Sequence, residues 1–145
     1  MKISTKVECG IMVLIDICVS SSGESVTVAN IAARQNLSAK YLEQIVPLLS
    51  RSGLLRANRG YQGGYMLSKP ADQYTVAEIL RLTEGNLAPV ACLEGEENLC
   101  PRASECITLP VWSGLSKVIN NYLEGITLQS IIDDFNTNAA QNYYI

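Results

Sequence analysis

The chain has 145 residues, 48% apolar and 17% charged, with a formal net charge of −3 at neutral pH. That composition suits one ordinary globular domain and excludes intrinsic disorder. No apolar run approaches the ~20 residues of a membrane span; the best stretch, residues 10–19, is interrupted by Asp16. With no signal-peptide layout and an odd count of five cysteines, which argues against a disulfide framework, the expected compartment is the cytoplasm.

Taken in chain order, residues 2–20 read as a helix apolar almost all round (Val7, Ile11, Met12, Leu14, Ile15, Ile17, Val19) and therefore buried, with Cys9 and Cys18 as small hydrophobes within it. After a Ser/Gly loop, Thr27 caps a short helix over 28–35. Asn36-Leu37 is a turn, and Ser38 caps a helix over 39–52 with Leu42, Ile45, Val46 and Leu49 on one face. Pro47 introduces a bend and Gly53 ends the helix. Two short runs, 54–58 and 65–68, flank a Gly-rich connector and read as a β-hairpin. Thr75-x-x-Glu78 is a capping box opening a helix over 76–84, which Gly85 ends. A polar cysteine-containing stretch follows. Thr108 then caps a last long helix with Val111, Trp112, Leu115, Val118, Ile119, Tyr122 and Leu123 on one stripe, ended by Gly125. A short helix over 127–135 closes the chain.

The order helix, short helix, tight turn, helix, hairpin is that of a winged helix-turn-helix. The fold class expected is mainly α with a small β-hairpin wing. Charge agrees: residues 1–70 carry eight Lys/Arg against four Asp/Glu, net +4, while residues 71–145 carry three against ten, net −7. Neutralising phosphates needs local positive charge, not a positive total. The N-terminal residues of the second helix of such a motif reach base edges; here they are Ser38, Ala39, Lys40, Tyr41, Glu43 and Gln44. Gln pairs with adenine and Glu accepts from cytosine, while Lys40 and the Ser38 and Tyr41 hydroxyls suit phosphate. The wing tip, Arg59, Gly60, Tyr61 and Gln62, completes the candidate contact set for a double-stranded DNA operator.

Cys92, Cys100 and Cys106 are spaced C-x7-C-x5-C in a charged segment without apolar periodicity. Structural cysteines usually sit in apolar cores, so thiolate ligation of a metal is the leading explanation, and an iron–sulfur cluster the leading metal group. Zinc prefers four Cys/His ligands with a close cysteine pair, and neither condition is met. Redox thiols are the other rival; Glu94, Glu96, Glu97 and Glu105 are expected to raise the thiol pKa values and disfavour them. An enzyme is not expected: there is no histidine, no nucleophile motif and no phosphate loop.

Three segments carry a family resemblance: MKIST at the N-terminus, LSAKYLEQIVPLLSRSGLL (37–55) and RGYQGGYMLSKP (59–70). With TVAEILRLTEG (75–85) and the three cysteines, the chain resembles the IscR/NsrR/CymR-type family of small winged-helix regulators over nearly its whole length. The resemblance implies a homodimer joined through the long C-terminal helix, usually acting as a repressor. It also implies a cluster ([2Fe-2S] or [4Fe-4S]) held by three loop cysteines and one other ligand. IscR-like members use a histidine after the third cysteine, where this chain has Leu109. NsrR-like members use a carboxylate near the N-terminus of the partner subunit, where this chain has Glu8.

The expected organisation is a winged-helix domain (1–85), a cluster-binding loop (86–107), and a dimerisation helix with C-terminal tail (108–145). The expected function is transcription regulation in response to iron–sulfur status, redox state or nitric oxide. The alternative is a cluster-free repressor of the cysteine-metabolism type, answering to thiol oxidation or to a protein partner docked on the aromatic tail QNYYI (141–145).

Overall fold

The computed structural model describes residues 1–143. Six helices and one hairpin follow in chain order: α1 (Thr5–Ser20), α2 (Val28–Gln35), α3 (Ala39–Arg51), β1 (Leu55–Asn58), β2 (Gly64–Leu67), α4 (Val76–Glu84), α5 (Leu109–Glu124) and α6 (Leu128–Tyr143). Among the described residues, no helix is long and apolar enough to cross a membrane.

Local signals set most boundaries. Ser4, Thr27, Ser38 and Thr75 each accept the backbone N–H three residues on, at 3.1–3.3 Å, satisfying one of the unpaired donors that open every helix. The Thr75 capping box is only half made, because the Glu78 carboxylate goes to Lys69 Nζ instead, at 2.6 and 2.8 Å. α3 runs unbroken through Pro47; the carbonyl that loses its partner is that of Glu43, an exposed residue where water can replace it. Gly53 ends the helix at φ +77°, a conformation costly for any side chain.

The main core joins Val13, Leu14 and Ile17 of α1, Ile31 of α2, and Leu42, Ile45, Val46 and Leu49 of α3. Val26, Leu54, Leu55, Ala71, Tyr74, Ile79 and Leu128 complete it. The hairpin pairs Leu55 with Leu67 and Asn58 with Gly64. Val26 adds a bridge on its far edge, exchanging both backbone hydrogen bonds with Tyr65 at 2.8 and 2.9 Å. That bridge requires Gly64, since a Cβ there would lie 2.6 Å from the Val26 carbonyl oxygen. Tyr74, fully buried, ties the base of the wing to the rest. Its hydroxyl donates to the Leu54 carbonyl at 2.7 Å and accepts from the N–H groups of Ser68 and Lys69 at 2.8 and 3.1 Å. Its own carbonyl accepts from Leu128 N–H, the start of α6. The C-terminal segment is therefore anchored in the winged-helix core rather than standing apart.

Four expectations from the sequence need correction. α1 is not buried all round: Met12 and Val19 are exposed, Val19 by 66%, because α6 leaves an open apolar groove of about 670 Å³ beside it, lined by Met12, Ile15, Val19, Ile131 and Phe135. Asp16, which interrupts the apolar run 10–19, is buried. Thr108 does not cap α5; its backbone is already helical and its hydroxyl turns to Cys106. α6 does not stop at Phe135 but reaches Tyr143, because residues 136–143 contain no Gly or Pro to end it. It opens on reciprocal caps between Thr127 and Ser130, each side-chain oxygen accepting the other's N–H at 3.0 Å. The fourth correction concerns the cysteine loop and is given below. Of the aromatic tail, Tyr144 and Ile145 lie outside the described residues.

Candidate nucleic-acid interface and cysteine loop

The first turn of α3 stands clear of the core. Ser38, Ala39, Lys40, Glu43 and Gln44 are exposed, because the stripe of Leu42, Ile45, Val46 and Leu49 turns the opposite face inward. Ser38 Oγ accepts from Tyr41 N–H, leaving its hydroxyl proton free to donate. Tyr41 is half-buried against the core; burial first, and the Cys9 thiol second, push its phenol pKa up. It offers less free surface than its neighbours. Arg59, Gly60, Tyr61 and Gln62 are all exposed at the wing tip, Tyr61 completely. Beneath them a cleft of about 560 Å³ separates the wing from the α1–α2 loop, with Asn58 Nδ2 donating to Ser25 Oγ at 2.7 Å across it.

One constellation behind this face was missed in the sequence. Asp16 is the only buried charged residue among those described. It accepts from Arg34 Nε at 3.1 and 3.2 Å, from the Arg34 guanidinium again at 2.7 Å, and from Gln35 Nε2 at 2.9 Å. The pair locks the last turn of α2 to α1, one residue before the left-handed Asn36 that begins the turn into α3. The available signal was the carboxylate itself: in an apolar helix it has to find a paired donor or not ionise.

Residues 86–108 form an irregular segment with short 3₁₀ turns at Ala91–Leu93 and Ala103–Glu105. Cys92 and Cys106 are half-buried and Cys100 is exposed; all are free thiols. Among the described residues, no three Cys, Asp or Glu side chains converge on one point as a metal site would require. Glu8 sits exposed in the first turn of α1. The nearby acids do not govern Cys106: its pKa is lowered, first by the Thr108 hydroxyl 3.5 Å from the sulfur, then by the Thr108 and Leu109 N–H groups and the Arg102 charge. The expectation of raised thiol pKa values is therefore corrected at that residue. Asn98 Oδ1 accepts from Cys100 N–H at 3.0 Å, while its Nδ2 is buried without a partner, a state that costs about 1–3 kcal/mol. Three thiols, one of them acidified, and an unspent buried donor suit a sulfur-ligated group chemically, although the loop is not closed around one.

α5 divides its stripe. Ile119 and Leu123 pack on a second small cluster of Val7, Ala77, Leu80 and Leu87. Val111, Trp112, Leu115, Val118 and Tyr122 face solvent, Val118 and Tyr122 by 65% and 67%. Arg81 holds α5 to α4 through Glu124 and Asn120, and that pairing lowers the Glu124 pKa.

Comparison with known proteins agrees with this architecture. Residues 3–134 match the Rrf2 family model, described as an iron-dependent transcriptional regulator. Protein rrf2 of Nitratidesulfovibrio vulgaris is 34% identical over 92% of this chain and 89% of its own length. Among solved structures, CymR, the global cysteine regulator of B. subtilis, superposes with a TM-score of 0.72 at 33% identity, covering 90% of this chain and 95% of that one. IscR of T. potens superposes with a TM-score of 0.69 at 32% identity, covering 92% and 88%. The winged helix with its extended C-terminal helices and a family match across most of the chain thus lead to one conclusion: this protein is a member of the Rrf2 family of transcriptional regulators and not an enzyme.

Proposed function

We propose that this regulator is a homodimeric repressor that binds operator DNA through α3 and the wing and senses through an iron–sulfur cluster in residues 86–107. The carrying observation is the set of three free thiols in one irregular segment placed between α4 and α5. Cys92, Cys100 and Cys106 would hold the cluster, with Glu8 of the partner subunit as the fourth ligand. When bound, the cluster supplies an iron centre sensitive to oxygen, nitric oxide and iron supply. Val111, Trp112, Leu115, Val118 and Tyr122 would bury their apolar faces against the second copy, with Ile119 and Leu123 backing them from inside the chain. The contact set on DNA is Ser38, Ala39, Lys40, Glu43 and Gln44 with Arg59, Gly60, Tyr61 and Gln62, and Tyr41 as a partly buried member.

Ordering of residues 86–107 would bear on α5, and α5 leads into α6. Ile126 O accepts from Val76 N–H, and Leu128 N–H donates to the Tyr74 carbonyl. The Tyr74 hydroxyl in turn holds the base of the wing. The loop thus connects to the DNA-binding face through packed and hydrogen-bonded groups that two loop states would bias differently.

A second reading is favoured by the acidified Cys106 and by the likeness to CymR: a cluster-free repressor controlled by thiol oxidation. Anaerobic purification with iron and acid-labile sulfide analysis, followed by DNA binding of loaded and apo forms, separates the two. Matched iron and sulfide, lost in Cys100→Ala, supports the cluster. A colourless protein after reconstitution, with DNA binding reversed by thiol reductant, supports the second.

A further inference from the structure

Asn98 holds its side-chain amide in a fixed direction. Its Oδ1 accepts from Cys100 N–H at 3.0 Å; exchanging oxygen and nitrogen would set two N–H groups against each other, so Nδ2 has to point the other way. Among the described residues, Nδ2 is the only buried side-chain nitrogen or oxygen left without a partner. The contrast with Asp16, whose two carboxylate oxygens receive four hydrogen bonds, shows how fully the chain otherwise satisfies buried polar groups. A buried amide donor needs an acceptor, and the acceptors this segment can offer include the sulfurs of Cys92, Cys100 and Cys106, each outside any disulfide.

We propose that Asn98 Nδ2 donates a hydrogen bond to a sulfur of the cluster held by this loop, so that one side chain fixes the Cys100 backbone and tunes the centre Cys100 binds. The inference rests on the cluster reading above. An N–H donor withdraws electron density from sulfur and stabilises the reduced, more negative state, which raises the midpoint potential. Outer-shell contacts of this kind also retain the metal group.

The test uses the full-length protein reconstituted anaerobically with iron and sulfide. Asn98→Asp keeps an acceptor for Cys100 N–H and loses the donor; Asn98→Ser keeps an acceptor without adding charge, and its hydroxyl, one bond shorter, falls short of the place of Nδ2. Both are expected to bind iron and sulfide with a more negative midpoint potential and shifted Fe–S stretching bands. Loss of visible absorbance under a chelator is expected to be about 10-fold faster. Failure of both variants to load, in apo forms with the wild-type Tm, also supports the contact, since both keep an acceptor for Cys100 N–H, both lose the amide at the place of Nδ2, and only one adds charge. Loaded variants with the wild-type potential and decay rate would overturn it while leaving the cluster reading intact. A shift in Asn98→Asp alone would overturn it too, as an effect of charge. A wild-type protein that takes up no iron and sulfide would overturn both.

Discussion

α3 and α5 are helices of similar length and comparable apolar stripes, yet they end in different environments. α3 buries Leu42, Ile45, Val46 and Leu49 within the chain. α5 buries no residue fully, and from Ala88 to Thr127 no side chain reaches full burial. A helix that long, with Val111, Trp112, Leu115, Val118 and Tyr122 in water, keeps its order chiefly through tertiary packing of an apolar face. The contrast is a division of labour: residues 13–79 with Leu128 hold the main buried core, while α5 and the loop before it, tied in through Leu87, Ile119 and Leu123, present surface for something further to cover. The exposed Leu99 and Ile107, the latter by 92%, extend that surface into the loop.

Substitutions on the two helices should therefore behave oppositely. Leu49→Ala, inside the core, is expected to destabilise the chain by about 2–5 kcal/mol, read as a fall in urea midpoint at unchanged slope; an unaffected midpoint would contradict the packing described. Val118→Asp on α5 should leave the stability of the single chain within about 0.5 kcal/mol while converting dimer to monomer in analytical ultracentrifugation. Operator affinity should then fall about 100-fold, because two linked half-site contacts become one. A Val118→Asp protein that remains dimeric would remove α5 from the interface.

Smaller effects sharpen the same contrast. Arg34→Ala leaves Asp16 buried with only Gln35. The loss should be about 2 kcal/mol, below the ~3–5 of a fully enclosed pair because Arg34 is itself partly in water. Measured together with DNA affinity, it separates support of α2 from direct contact. Lys40→Ala should change stability least of all. If Lys40 meets phosphate, binding weakens uniformly across operator sequences, and the slope of log affinity against log salt falls by about 1. A sequence-dependent loss would make it a base reader instead.

Much of the winged helix was legible in the chain because its signals are local. Thr27, Ser38 and Thr75 cap within three residues, Gly53 stops α3 by its φ, and the stripe of α3 has one period and one buried face. The candidate site was legible as residue types: three thiols in a polar segment and a basic N-terminal half. Their arrangement was not. Whether Thr108 caps α5 or turns to Cys106, and whether acids or a hydroxyl sets that thiol's pKa, depends on a backbone path that no period encodes.

Neighbours a few positions apart made the element order, the starts of α2, α3 and α4, the hairpin and the chemically distinct residues legible in the sequence alone. Tertiary structure alone decided which side of α1 meets water, that Asp16 meets Arg34 and Gln35, that Leu128 enters the first core, and that Asn98 keeps a buried donor in reserve. Burial and pairing of this kind are properties of surfaces brought together from distant parts of the chain, and the free energy that selects them exists only once those surfaces meet.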